Sequence, residues 1–287
     1  MRLKIYSCHH VEPESVLNTP IYQTFVAGHD LPHCVGLQTD AHGDNIGQLQ
    51  KFCEMRHQYY VWKNLLGQYD YVGFEHYRRT LFLSPLGIED LQNRYPRTAE
   101  LKRKVTHLGE ELPKAEFFTQ VNTSPVQYDE YNVMRANYTE EEQEALKKYV
   151  SGYDVLFTLG TFYPVNEQFR RYHPQAMRHW EEFFTRASEI LAKRTGRRFV
   201  DRSLPWSPYR NMYIMRSDIF AEYMEIVMPV LLDMDEKHPD ALPRIWGHMT
   251  ERFLGAYVLQ KAMEGSLFKY KEIPHLLYTV KAPHPGK

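Results

Sequence analysis

Two hydrophobic periods alternate along this chain. Leu3, Ile5 and Ser7 alternate with charged or aromatic neighbours, which predicts an opening strand over residues 2–8. Residues 20–27 predict a second extended or short helical piece. Residues 28–48 are dense in Gly, Asp and His and predict a long loop, a segment type that usually carries function. Phe52, Met55, Tyr59, Trp62 and Leu66 follow a three-four spacing, the stripe of an amphipathic helix, with Gly67 as its expected cap. Tyr71 to Phe74 form a short apolar run, expected as a buried central strand that ends in Glu75-His76-Tyr77-Arg78-Arg79.

Residues 84–150 predict an insertion of helices and loops, with one clear helix over Glu140–Val150. Thr139 and Glu142 have the spacing of a capping box at its start. Asp154 to Leu159 and Arg210 to Met215 read as strands, and residues 174–195 as a long helix opened by Pro174. Ser217 is the expected cap of the next helix, which Pro229 should kink or end. A last helix over 244–263 and a strand near 267–272 complete the pattern. Alternating strands and helices imply an α/β class with a mostly parallel sheet flanked by helices.

Composition narrows the function classes. The 287 residues allow one large domain or two small ones, and one domain with the 84–150 insertion is the expectation. Lys+Arg total 35 against 36 Asp+Glu, so nucleic acid is not an expected partner. The three cysteines form no CxxC pair and suit reduced thiols. No apolar run reaches the ~18 residues of a membrane span, and Met1 to Tyr6 lacks an apolar signal core. A cytoplasmic protein is therefore expected. The basic runs Lys102 to Lys104 and Arg194 to Arg198 keep peripheral membrane contact open, against the plainer reading of solvated surface.

Three polar clusters are candidates for chemistry. The loop Asp40 to Ile46 offers Asp40, Asp44 and Asn45 to a ribose or base, although these are also turn residues. His76, Arg78 and Arg79 fall at the end of a buried strand, where α/β proteins bind ligands, and two arginines can fork onto phosphate oxygens. The alternative is structural pairing with acids such as Asp44 or Asp70. On the last helix, Trp246, Met249, Phe253 and Tyr257 form the core stripe, while Glu251 lies off it between Gly247 and Gly255. Those glycines either clear space for a ligand at Glu251 or admit a close-packed neighbour. No P-loop, dinucleotide-binding or nucleophile-elbow motif occurs, and the histidines lack metal-ligand spacing.

Several strings occur in a familiar order. They are Lys4 to His10, Gly43-Asp44-Asn45-Ile46, Phe52-Cys53-Glu54, Trp62-Lys63-Asn64 and Asp70 to Arg79, then Asn211 to Met215 and Gly247 to Arg252. Together they resemble a bacterial family of capsular, exopolysaccharide and O-antigen glycosyltransferases, first known as a domain of unknown function and related to galactofuranosyltransferases. Gly47, Met55-Arg56 and Thr80 to Phe82 depart from the family pattern, and residues 84–150 match none of it.

The resemblance implies a GT-A-like nucleotide-sugar fold. It implies a UDP-sugar donor, with galactofuranose or another hexose as the sugar, and a glycan or lipid-linked glycan acceptor at the inner face of the membrane. Asp40, Asp44 and Asn45 then fall to the nucleoside, His76, Arg78 and Arg79 to the diphosphate, and Glu251 to the general base. No DxD motif stands at the strand end; arginines can neutralise the diphosphate there without a metal, and Mn or Mg held by other groups stays open. A catalytically silent glycan-binding protein and a sugar-phosphate transferase are the rival functions.

Overall fold

The computed structural model describes residues 1–83, 106–107, 110–111, 120–123, 125–158, 161–162, 164–196, 206–208, 210–265 and 267–278. Its first strand, β1 (Leu3–His9), lies between two parallel partners, β2 (Tyr22–Val26) and β4 (Tyr71–His76). The short β3 (Gln38–Thr39) extends the β2 edge, also in parallel. β4 then turns back through β5 (Arg79–Leu81), with His76 opposite Arg79.

Two minor strand pairs stand apart from the central sheet. The pairs are β6 (Thr106–His107) with β7 (Glu110–Glu111), and β10 (Thr161–Phe162) with β11 (Trp206–Ser207). The central sheet continues through β8 (Gln120–Thr123), β9 (Val155–Thr158), β12 (Tyr213–Arg216), β13 (Tyr270–Ile273) and β14 (His275–Tyr278). Its main order is β13-β9-β12-β4-β1-β2-β3. The pairing is mostly parallel, but β12 runs antiparallel to both β4 and β9.

Side-chain alternation along the strands separates two apolar layers. Tyr6, Cys8, Phe74, Phe157 and Tyr213 face one layer, while Leu3, Ile5, Leu156, Met212 and Ile214 face the other. Helices cover both. α1 (Met55–Tyr60), α5 (Met177–Thr195), α6 (Ser217–Lys237) and α7 (Ile245–Glu264) pack on the first layer. α3 (Glu140–Val150) packs on the second, α2 (Pro125–Ala136) lies just before it in the chain, and α4 (Val165–Tyr172) precedes α5. Gly73 makes the centre of the sheet fit, because a Cβ there would come within 2.8 Å of Ile214 and 3.1 Å of Ile5. The α/β class expected from the alternation, a mostly parallel sheet flanked by helices, is the one found.

Several sequence expectations hold in detail. Thr139 accepts from the Glu142 amide and Glu142 reaches back to the Thr139 amide, so the capping box forms. The 20–27 piece resolves as strand. Other expectations are corrected. Gly67 lies inside a closing 3₁₀ turn (Leu66–Gln68) and does not cap the helical run. Ser217 Oγ donates to the Tyr69 carbonyl at 2.7 Å, so it ties α6 to the loop before β4 instead of capping it. α6 runs through Pro229 to Lys237. Pro229 and Glu225 both lie on its exposed face, where solvent reaches the carbonyl that the missing N–H leaves. The expected insertion lies partly outside the described residues; its described part holds β6 to β8, α2 and α3.

Candidate active site

β1 and β4 run parallel with Cys8 opposite His76, so their carboxyl ends share one edge of the sheet. A cleft with a cavity volume of about 270 Å³ opens there. Its walls include His10 after β1, His76 to Arg79 after β4, and Cys53, Glu54 and Arg56 from the entry to α1. Arg244, at the start of α7, closes the opposite side.

The arginines of this cleft divide into two kinds. Arg56 is buried and spoken for. It forks onto Asp30 at 2.6 and 3.3 Å and also donates to the carbonyls of Gly47 and Cys53. Arg78, Arg79 and Arg244 have no carboxylate within ion-pair distance among the described residues. Arg78 lies 5.3 Å from the centre of the Tyr77 ring, and Arg244 Nε donates to Cys53 Sγ at 3.3 Å. The Nε atoms of Arg78 and Arg79 are buried without a partner among the described residues. Burial, followed by the positive charge of Arg78, lowers the pKa of Arg79, as expected for a cation lacking its counter-ion. Structural pairing with Asp44 or Asp70 is thus not what the arginines do: Asp70 pairs with Arg2, and Asp44 accepts from Tyr59.

His76 is also brought to the cleft. Its Nε2 stands 3.5 Å from Glu54 Oε1, without the alignment of a hydrogen bond. Burial lowers its pKa despite Glu54 and Glu251 nearby, which favours the neutral ring.

The nucleoside candidates sit elsewhere. Asp40 is wholly buried, and its Oδ1 accepts from the Gly28 amide at 2.7 Å. Burial raises its pKa, partly offset by that bond. Asp44 is exposed; it takes the Tyr59 hydroxyl at 3.0 Å, while Asn64 bonds its backbone. Burial, then Asp44, pushes the Tyr59 phenol up to about 12. Asn45 closes a local turn onto Gly43 and Gly47. None of the three lines the cleft, and all of these contacts shape the loop.

Glu251 does not line the cleft either, although it interacts electrostatically with His76, Arg79, Arg210 and Arg244. Its Oε2 lies 3.5 Å from His248 and 3.4 Å from Arg252. Burial alone would raise its pKa, but the His248 bond and the Arg252 charge outweigh that and lower it. The Trp246, Met249, Phe253 and Tyr257 stripe is fully buried as expected. Gly247 admits a close neighbour, since a Cβ there would lie 2.9 Å from Cys53 Cβ and 3.3 Å from the Phe52 carbonyl. Gly247→Ala is therefore expected to destabilise the fold by about 1–3 kcal/mol, overriding the roughly 1 kcal/mol that helix propensity favours. Urea unfolding measures the sign directly.

Glu54 and Arg244 are among the cleft residues that spacing did not single out. A shared backbone signature marks their surroundings. Cys53, Asn211 and Arg244 are the non-glycine residues with positive φ among the described residues, at 51°, 45° and 64°. All three meet here: Arg244 bonds Cys53, and Asn211 Nδ2 donates to Glu54 Oε1 at 3.2 Å. Left-handed backbone at ordinary residues concentrates at functional sites. No three His, Cys, Asp or Glu side chains converge on a metal position among the described residues. Asp30 is already forked by Arg56, and Arg78, Arg79 and Arg244 bring positive charge to the cleft.

Against known proteins, the fold has a solved counterpart. The apo structure of the WbbM bifunctional glycosyltransferase is similar over 98% of this chain, with a TM-score of 0.68 and 22% identity. The chain spans 46% of that protein's length, so it shares its fold with one part of a bifunctional glycosyltransferase. None of the curated proteins matches the chain. The family model described as a domain of unknown function, DUF4422, matches residues 4–262, and the chain belongs to that family.

Proposed function

We propose that this chain is a glycosyltransferase that moves a hexose, galactofuranose among the candidates, from a UDP-sugar to a growing bacterial surface glycan. One observation carries the reading. Three arginines without carboxylate partners, Arg78, Arg79 and Arg244, converge on a strand-end cleft of a fold that a glycosyltransferase shares. The leaving nucleoside diphosphate gains negative charge as the glycosidic bond breaks, and pre-placed cations stabilise that charge. His76 adds a neutral imidazole beside them. The chain acts as one GT-A-like domain, with the 84–150 segment as its insertion. Its acceptor is a glycan or lipid-linked glycan met at the cytoplasmic face of the membrane. No helix among the described residues is long and apolar enough to cross a membrane.

The test is a donor screen. Purified protein is incubated with UDP-sugars one at a time, and release of UDP is followed with and without EDTA. Release from one sugar in preference to others supports the reading. Release from none favours a silent glycan-binding protein, and release of UMP with the sugar phosphate favours a sugar-phosphate transferase.

The nucleoside assignment for Asp40, Asp44 and Asn45 carries its own test. These residues shape the loop beside the cleft, and a bound nucleoside would draw on that loop. Asp44→Ala is expected to weaken UDP binding about tenfold in calorimetry, as for loss of one charged hydrogen bond, with the melting temperature nearly unchanged. Unchanged affinity with a large stability loss assigns the loop to architecture.

A further inference from the structure

Two carboxylates stand near the arginine cluster, and the chain holds them differently. Glu251 is engaged through Oε2 by His248 and Arg252 and does not border the cleft. Glu54 does border it. Its Oε1 is fixed by Asn211 Nδ2, whereas its Oε2 has no hydrogen bond among the described residues. One oxygen is anchored, and the other is left for a ligand.

The anchor is built with care. Asn211 is wholly buried and immediately precedes the strand region, in the left-handed conformation. Its Nδ2 also meets the Gly247 carbonyl at 3.1 Å and Thr250 Oγ1 at 3.0 Å, both on α7. Its carbonyl accepts from Gln58 of α1, and Gln58 in turn accepts from the Tyr213 hydroxyl at 2.7 Å. Strand β12 and helices α1 and α7 are thus locked together around one carboxylate. Such bracing is what a reacting group needs and what a surface acid does not.

We infer that Glu54 is the general base of the transfer and that Asn211 is its positioning residue. This rests on the glycosyltransferase reading of the cleft. Glu54 Oε2 takes the proton of the acceptor hydroxyl as that oxygen bonds the anomeric carbon of the donor sugar. The bond from that carbon to the diphosphate oxygen breaks, and its electron pair leaves on the diphosphate, facing Arg78, Arg79 and Arg244. Water then removes the proton from Glu54. A single displacement of this kind inverts the anomeric centre.

The experiment uses the UDP-sugar that the wild-type chain turns over best. Glu54→Gln is expected to bind UDP in calorimetry as the wild type does, and to lose turnover by roughly 10²–10⁴-fold. Glu54→Ala is expected to regain part of its rate in added formate, which replaces the missing carboxylate. Asn211→Asp is expected to lower kcat with little change in KM, because it turns the donor facing Glu54 into an acceptor. Should the Gln variant fold poorly, Glu54→Asp, with an intact melting transition and a kcat loss at constant KM, makes the same test. Wild-type turnover by Glu54→Gln, formate rescue confined to Glu251→Ala, or a product of retained configuration overturns the assignment while the transferase reading stands. A wild-type chain that turns over no donor overturns both.

Discussion

Arg79→Ala is expected to lower sugar transfer by roughly 10²–10³-fold, the usual loss when one pre-placed donor to a developing anion is removed. The argument begins with β4. Its residues are buried up to the half-buried His76, and the chain then reverses at once through β5, so Arg78 in the turn and Arg79 at the start of β5 stand at the strand-end edge. Neither has a carboxylate within reach among the described residues, and their Nε atoms are buried and unpartnered. A cation desolvated in this way is destabilised until an anion arrives, which favours the diphosphate when its charge is highest. Arg78→Lys keeps the charge but loses the planar fork, so it too should impair turnover. Steady-state rates of UDP release, together with UDP calorimetry, make the check. Wild-type rates in both Arg→Ala variants would remove the cluster from the mechanism.

The second large effect concerns stability. Arg135→Met is expected to destabilise the fold by about 3–5 kcal/mol, because it strands Glu75 as an unpaired buried charge. Glu75 neighbours His76 on β4, yet successive strand residues face opposite sides, so it points away from His76. There it meets Arg135 of α2 at 2.8 Å, with both side chains 1% exposed. Glu75 also accepts from the Leu81 amide, and Arg135 donates to Asn132. Burial works against the Arg135 charge, but Glu75 beside it raises the pKa overall. The pair clamps α2 against the strand that carries the arginine cluster. Urea unfolding of the single variants and of Glu75→Gln/Arg135→Met tests this, and the double variant should lose clearly less than the sum of the singles.

What the sequence discloses of this fold follows from which interactions are local. The 3.6-residue stripes of the helices and the buried run of β4 depend on near neighbours, and they were legible. So was the place of His76, Arg78 and Arg79, because a buried strand that ends in charge marks its own terminus. Glu54 was not legible. It entered only within the Phe52-Cys53-Glu54 string, and nothing near it in the sequence shows its anchor, since Asn211 lies 157 positions away. Arg244 was hidden similarly, since its left-handed turn and its bond to Cys53 have no signature in an arginine. The loop over Asp40 to Asn45 was legible as polar, but its side chains bond the loop itself, which composition does not distinguish from binding a ligand.

The antiparallel strand β12 changes when the cleft comes into being. Running against its neighbours, it brings its beginning, not its end, to the ligand edge, so Asn211 arrives where His10 and His76 already end their strands. The cleft is therefore stitched from segments that only the finished chain brings together; Cys53 and Arg244 alone are 191 positions apart. Closing such loops is slow because their entropy must be lost before the contacts form. Only the folded chain brings Arg244 beside Arg78 and Arg79 in the cleft. A nucleotide that binds there recognises the native state alone, and at a hundredfold excess over its Kd it adds about 2.7 kcal/mol to folding. Such a ligand would protect most strongly the molecules that have already assembled the site.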